Sequence, residues 1–165
     1  MKIMVFLHGT TIMHRSAISR SRIDRVRQVL ENEEPVHDFS SYVPVGGSPQ
    51  KVQSWTAQGA EVVYLSSHRR PEDIEKDRSV LKAHQFPEGE ICFRKSLESY
   101  ADIAEKVLPD ILIEDDCQSI GGEAEMTYPH ISAAKQTLIK HIVVREFEGI
   151  DHLPDDLASL ANYSD

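Results

Sequence analysis

The stretch Lys2-Ile3-Met4-Val5-Phe6-Leu7, running into His8-Gly9-Thr10-Thr11, decides how this chain is read. Its first part is a continuous apolar run with no alternation, the pattern of a strand buried on both faces. The Gly-Thr pair then breaks the strand into a turn. In many α/β enzymes such a junction holds the nucleophile. Here the strand ends without a carboxylate, serine or cysteine, and His8 is the one proton-transfer group it offers.

Outward from this junction, strands and helices alternate. Ser21-Arg22-Ile23-Asp24 reads as a capping box, followed by Ile23, Val26 and Leu30 at helical spacing. Ser48-Pro49 starts a helix with Ser48 as N-cap, Val52 and Trp55 as its apolar face and Gly59 as its stop. Ala60 to Leu65 is β-rich and stops at Ser66-Ser67. Pro71-Glu72-Asp73 opens a helix with acids in its first turn, and Ile74, Val80 and Leu81 form its inner face. Glu90 to Phe93 is a short strand. Ser99 caps a helix carrying Ile103 and Val107. Asp110 to Ile113 is a strand ending in Glu114-Asp115-Asp116, and His141 to Val144 is the fifth.

This alternation predicts a three-layer, Rossmann-like α/β fold around a parallel sheet of about five strands with right-handed crossovers. Ligands of such sheets sit at the carboxyl ends of the strands. Those ends carry His8-Gly9-Thr10, Ser66-Ser67-His68-Arg69, Arg94-Lys95 and Glu114-Asp115-Asp116. The topology therefore gathers the polar residues at one edge.

Over nearly its whole length the pattern resembles the haloacid-dehalogenase-like (HAD-like) phosphohydrolases. "PVGGSPQKVQSWTAQGAEVVYLSSHRRPED" looks like that family's helix, second strand and Ser/Thr motif, "PDILIEDDC" like its acidic motif, and "FLHGTT" like its first motif with both aspartates replaced. The resemblance implies a single domain over 1–165 with a minimal cap, a small helical insertion around 14–42. The crevice beside so small a cap is expected to be open.

The resemblance also implies roles. Phe6 stands at the nucleophile position and can neither attack phosphorus nor bind a metal. His8 stands at the acid/base position, where an imidazole can serve. Lys95 matches the motif lysine, with Lys106 an alternative. Gly9, Thr10, Ser66, Ser67 and Arg69 are candidates for holding a phosphoryl group. The first turn also exposes backbone N–H groups suited to an anion.

Asp115 and Asp116, with His8, are the candidate metal ligands. Without a carboxylate at position 6, Mg²⁺ should bind weakly, and His8 would tilt the site towards a transition metal. In a metal-free site His8 is expected to balance the charge of Asp115 or Asp116. The chain has eight histidines, and number alone makes no metal site. His37, His84, His141 and His152 read as structural or solvent-facing.

Composition narrows the partners. The net charge of −9 disfavours nucleic acid and anionic membranes. One basic cluster, Arg15, Arg20, Arg22, Arg25 and Arg27, reads as a solvated helix face, or as an anion-facing rim. Cys92 and Cys117 fit no C-x-x-C spacing, and a reducing cytoplasm is the simplest setting. No apolar run is long enough to span a bilayer. Two functions are thus expected: a phosphohydrolase working without an aspartyl-phosphate intermediate, or a non-catalytic relative binding a phosphorylated small molecule or a protein partner.

Overall fold

The most apolar strand takes the centre of the sheet, where both of its faces are covered. The computed structural model describes residues 1–164. β1 (Lys2–Phe6) is followed by a short ribbon, β2 (Ile12–Met13) and β3 (Val43–Pro44), which brackets an insertion containing α1 (Arg22–Leu30) and three short 3₁₀ turns. Then come α2 (Ser48–Ala57), β4 (Glu61–Ser66), α3 (Pro71–Ala83), β5 (Glu90–Phe93), α4 (Tyr100–Val107), β6 (Ile111–Asp115), α5 (Ala133–Gln136), β7 (Lys140–Val144) and α6 (Leu157–Ala161).

The sheet has five parallel strands in the order β5-β4-β1-β6-β7. β1 pairs with β4 through Ile3↔Val62 and Val5↔Tyr64, and with β6 through Met4↔Leu112. The chain moves outward from β1 through β4 to β5, then returns to β6 on the other side. β1 is therefore the point where strand order reverses, and the crevice beyond its carboxyl end is where such a sheet takes ligands.

Alternate residues of the strands feed two cores, as the two-residue strand period requires. Ile3, Val5, Leu7, Tyr64, Ile111 and Ile113 face Val52 and Trp55 of α2 and Ile74, Val80 and Leu81 of α3. Met4, Phe6, Val63, Leu65 and Leu112 face Ala101, Ile103 and Ala104 of α4, with Ile131 and Ile139. These are the three expected layers.

The helix signals hold with two corrections. Ser21 caps α1, accepting from Asp24 N–H, and Ser99 with Asp102 completes a capping box on α4. Ser48 is not an N-cap. Gly47 holds that position, and the Ser48 hydroxyl donates back to the Val45 carbonyl. In α1 only Val26 of the expected apolar face is buried, while Ile23 and Leu30 are 78% and 63% exposed. The inward side of that helix is occupied by polar anchors: Arg25 donates to the carbonyls of Ala17 and Phe147, and Gln28 reaches His14.

Trp55 is fully buried and its indole N–H donates to the Pro154 carbonyl, tying α2 to the C-terminal segment. Trp55→Ala should therefore cost about 3–5 kcal/mol, read as a lowered urea midpoint by far-UV circular dichroism. A midpoint close to wild type would show that the C-terminal segment does not depend on this contact.

Candidate functional site

Every strand of the sheet delivers residues to one cavity of about 350 Å³ at its carboxyl edge. β1 leads to His8 and Gly9, β4 to Ser67 and His68, β5 to Arg94, β6 to Asp115 and Cys117, and β7 to Glu146. The insertion supplies one wall through Val29, Val36, Phe39 and Tyr42. The insertion between β2 and β3 thus flanks the crevice with apolar side chains.

His8 is held from both sides. Its Nδ1 lies 2.8 Å from Ser67 Oγ and 3.3 Å from the Ser67 N–H, and its Nε2 lies 3.1 Å from Asp77 Oδ1. Asp77, on α3, also accepts from Ser66 Oγ at 2.6 Å and from His68 Nδ1 at 3.1 Å. Burial opposes its charge, but the two imidazoles outweigh that penalty and hold the carboxyl below the usual range. The carboxylate that His8 meets is Asp77. The expected balancing of Asp115 or Asp116 by His8 is corrected accordingly: His8, His68 and Asp77 form one group of potential ligands, and Asp115, Asp116 and Glu146 form another.

The acidic triplet divides by strand alternation. Glu114 turns away from the cavity, accepting from the N–H groups of Thr127 and Tyr128 and pairing with His141 at 2.9 Å. Asp115 faces the cavity. Its Oδ2 accepts from Thr10 Oγ at 2.6 Å and its Oδ1 from the Cys117 N–H at 2.9 Å. Asp116 pairs with Arg22 at 3.1 Å and accepts from the Glu146 N–H. Glu146 accepts from the Ser119 N–H and hydroxyl. Burial pushes Asp115 up to about 7, with the charges of Glu146 and Asp116 adding to it against the Thr10 and Cys117 hydrogen bonds. Burial raises Glu146 as well. Burial likewise pushes the Cys117 thiol up, which keeps it protonated and a poor nucleophile.

The first turn is shaped around Asp115. Gly9 has φ +86°, and a Cβ there would lie 2.9 Å from Asp115 Oδ2. The N–H groups of Gly9 and Thr11 are already bonded, to the Ile12 and Leu7 carbonyls, so neither is available to an anion as expected. Thr10 is buried and committed to Asp115.

Phe6 packs edge-on against Tyr100, ring centroids 5.0 Å apart, and fills the place a carboxylate would need. Arg94 lies 3.9 Å over the Tyr100 ring. Its Nε is buried without a hydrogen-bond partner, and Arg94 makes no ion pair among the described residues. Lys95 does not line this cavity. It flanks Phe93, 5.3 Å from the ring, in a separate groove shared with Lys106, which pairs with Glu98. Consecutive residues leaving a strand face opposite ways, so Arg94 and Lys95 could not both reach the crevice. Arg69 is exposed and donates to the Ser96 carbonyl, outside the cavity lining. Ser66 is fully buried behind it.

The basic cluster divides: Arg15, Arg20 and Arg27 are exposed, as a solvated face would be, while Arg22 and Arg25 turn inward. Arg22 donates to the Glu146 carbonyl and pairs with Asp116, clamping α1 to the acidic edge. Arg27 pairs with Asp24. His37, expected to be structural or solvent-facing, hydrogen-bonds Asn32 and reaches the cavity rim.

His68 and Arg94 line the site and Asp77 anchors it, although the reading of strand ends assigns Asp77 no role. The signal was there: Asp77 lies three residues after Ile74 and three before Val80, within the buried stripe of α3. A carboxylate on such a stripe needs partners.

The oxygen donors of Asp115, Asp116 and Glu146 suit a hard divalent cation in kind. Each carboxylate already has protein donors, and Arg22 supplies charge, so the group is balanced in part without one. No helix among the described residues is long and apolar enough to cross a membrane.

Comparison with known proteins places the fold. No family model matches the sequence. No curated protein matches it either. Among solved structures, a class C acid phosphatase from Bacillus anthracis with tungstate bound is similar, with a TM-score of 0.57 and 12% identity, over 90% of this chain and 68% of that one. A chain of the Pnkp1/Rnl/Hen1 complex is similar with a TM-score of 0.54 and 13% identity, over 88% of this chain and 46% of that one. The likeness is one of fold, and it agrees with the three-layer, Rossmann-like α/β architecture expected from the sequence.

The raised Asp115 carboxyl has a consequence for stability. An unfolded aspartate ionises near 3.8, whereas the folded one keeps its proton to about 7. The folded state binds the extra proton in that window, so this group's contribution falls as pH rises through it. Asp115→Asn should therefore gain stability relative to wild type between pH 4 and about 7, measured by urea denaturation in chelator-treated protein. A difference that stays flat across the window would place the titration elsewhere.

Proposed function

We propose that the chain binds an organic phosphate ester in this cavity and handles it without an aspartyl-phosphate intermediate. The observation that carries the reading is Arg94: a guanidinium in the cavity wall with no acidic partner among the described residues. The residue is half-buried, its Nε is shielded from water without a partner, and a phosphate oxygen is the acceptor its planar fork fits. His68, its ring tilted against that of His8 with centroids 4.3 Å apart, brings a second imidazole to the same cavity. Phe39, Tyr42, Val29 and Val36 give it an apolar wall. The ligand expected is a phosphate ester carrying an apolar or aromatic body.

A divalent cation, where bound, would be held by Asp115, Asp116 and Glu146 and would neutralise phosphoryl charge. Phe6 adds no ligand to that set, so Mg²⁺ affinity should be weak. The protein's own groups would do the rest: Arg94 orients the phosphoryl group, and His8 can take and return a proton at the reacting oxygens. The non-catalytic reading draws on Phe6 itself, whose buried ring closes the covalent route at that position.

Calorimetric titration with inorganic phosphate tests the reading. Wild type should bind, and Arg94→Met should weaken binding about tenfold or more, the worth of a charge-assisted hydrogen bond. Lys95→Met should change it by less than about twofold, since an exposed charge contributes little. Absence of phosphate binding, or equal losses in the two variants, would remove phosphate recognition through Arg94. With an aryl phosphate and Mg²⁺, the quenched protein should carry no hydroxylamine-sensitive acyl phosphate, because Phe6 cannot form one.

A further inference from the structure

We propose that Ser67 is a nucleophile, activated by His8 and positioned through Asp77, and that it accepts the phosphoryl group of the ester. This deepens the proposed function and rests on its phosphate-ester reading.

The tautomer of His8 follows from its neighbours. The Ser67 backbone N–H lies 3.3 Å from His8 Nδ1 and can only donate. Nδ1 is therefore the lone-pair nitrogen, and a neutral imidazole then carries its proton on Nε2. That nitrogen faces Asp77 Oδ1 at 3.1 Å. With Nδ1 fixed as acceptor, Ser67 Oγ at 2.8 Å must donate its hydroxyl proton to it. The result is a nucleophile bonded to a base, with the base held by a carboxylate, the arrangement that activates a serine hydroxyl. The two ring nitrogens have exchanged roles relative to the serine-protease triad.

The carboxylate is itself fixed. Asp77 is 1% exposed, and Ser66 Oγ and His68 Nδ1 occupy its Oδ2. Both nitrogens of His8 and both oxygens of Asp77 thus have partners, so this group is complete without a cation. Ser67 and His8 line the cavity that also holds Arg94, so the hydroxyl and the phosphate-binding cation share one space. Phe6, at the position where the fold's usual nucleophile would stand, lines that cavity too.

The chemistry balances with water as the only co-reactant. Ser67 Oγ attacks phosphorus and its proton passes to His8 Nδ1. The phosphorus–oxygen bond to the alcohol breaks, and the departing oxygen takes that proton. Water then attacks the phosphoserine, giving its proton to His8 Nδ1. The phosphorus–Oγ bond breaks and the proton returns to Oγ. The sum is ester plus water to alcohol plus phosphate, with Ser67, His8 and Asp77 unchanged. Asp77 touches no reacting atom and is a positioning residue, favouring the imidazolium that forms.

A fluorophosphonate probe tests this directly on the full chain. Intact-mass and peptide analysis should find one adduct, on Ser67, with none in Ser67→Ala. His8→Asn should slow labelling by about 100-fold or more, the usual worth of a general base. Circular dichroism of both variants checks folding, and the site of the wild-type adduct decides the matter without either. No adduct, an adduct elsewhere, or equal labelling of folded His8→Asn would overturn the proposal. Titration with inorganic phosphate separates the two readings. Wild type that binds phosphate but does not label loses the serine nucleophile and keeps phosphate recognition. Wild type that labels but does not bind phosphate loses phosphate recognition, and with it the phosphoryl substrate proposed for Ser67.

Discussion

One buried carboxylate organises the edge of this sheet. Asp77 sits on the inner face of α3 with its side chain almost wholly removed from water, so each of its oxygens must be matched by a donor. The donors come from the ends of two strands: His8 after β1, and Ser66 and His68 at and after β4. A single acidic group therefore locks a helix to two neighbouring strand ends. That lock sets the orientation of both imidazoles and brings Ser67 against His8.

The opposite wall solves the same problem with less charge compensation. Asp115 and Glu146 are satisfied by hydroxyls and backbone N–H groups, which are neutral donors, and burial raises both. Asp116, less buried, has Arg22 instead. The two walls thus differ in proton affinity, with a depressed carboxyl beside imidazoles on one side and raised carboxyls on the other. The difference follows from the partners: imidazoles that can carry charge on one wall, neutral donors on the other.

Phe6 fits this division. The resemblance read from the sequence places a reacting carboxylate at the end of β1, and this chain has there an aromatic ring set edge-on against Tyr100. The ring and Tyr100 form a dry floor on which Arg94 lies. Burial pushes Tyr100 up to about 12, so it stays a neutral phenol beneath the guanidinium. The polar groups gather instead at the neighbouring strand ends.

The sequence by itself determined the sheet, its five principal strands and the set of strand ends that meet at one edge. Apolar runs, caps and Gly or Pro breaks are local signals, and local periodicity decides them. It also marked Phe6 as unable to serve as nucleophile, because that follows from the side chain alone. The tertiary structure decided which polar residues are neighbours. Arg94 and Lys95 are adjacent in sequence, and only the packing of β5 against α4 shows which one faces the cavity. Ile23 and Leu30 have helical spacing, yet both are exposed, because the inward side of α1 serves arginine contacts instead. Asp77 is distant from His8 along the chain and meets it only because α3 packs across the end of β1. Periodicity assigns a residue to a face; which partner that face meets is set by how helices and strands pack.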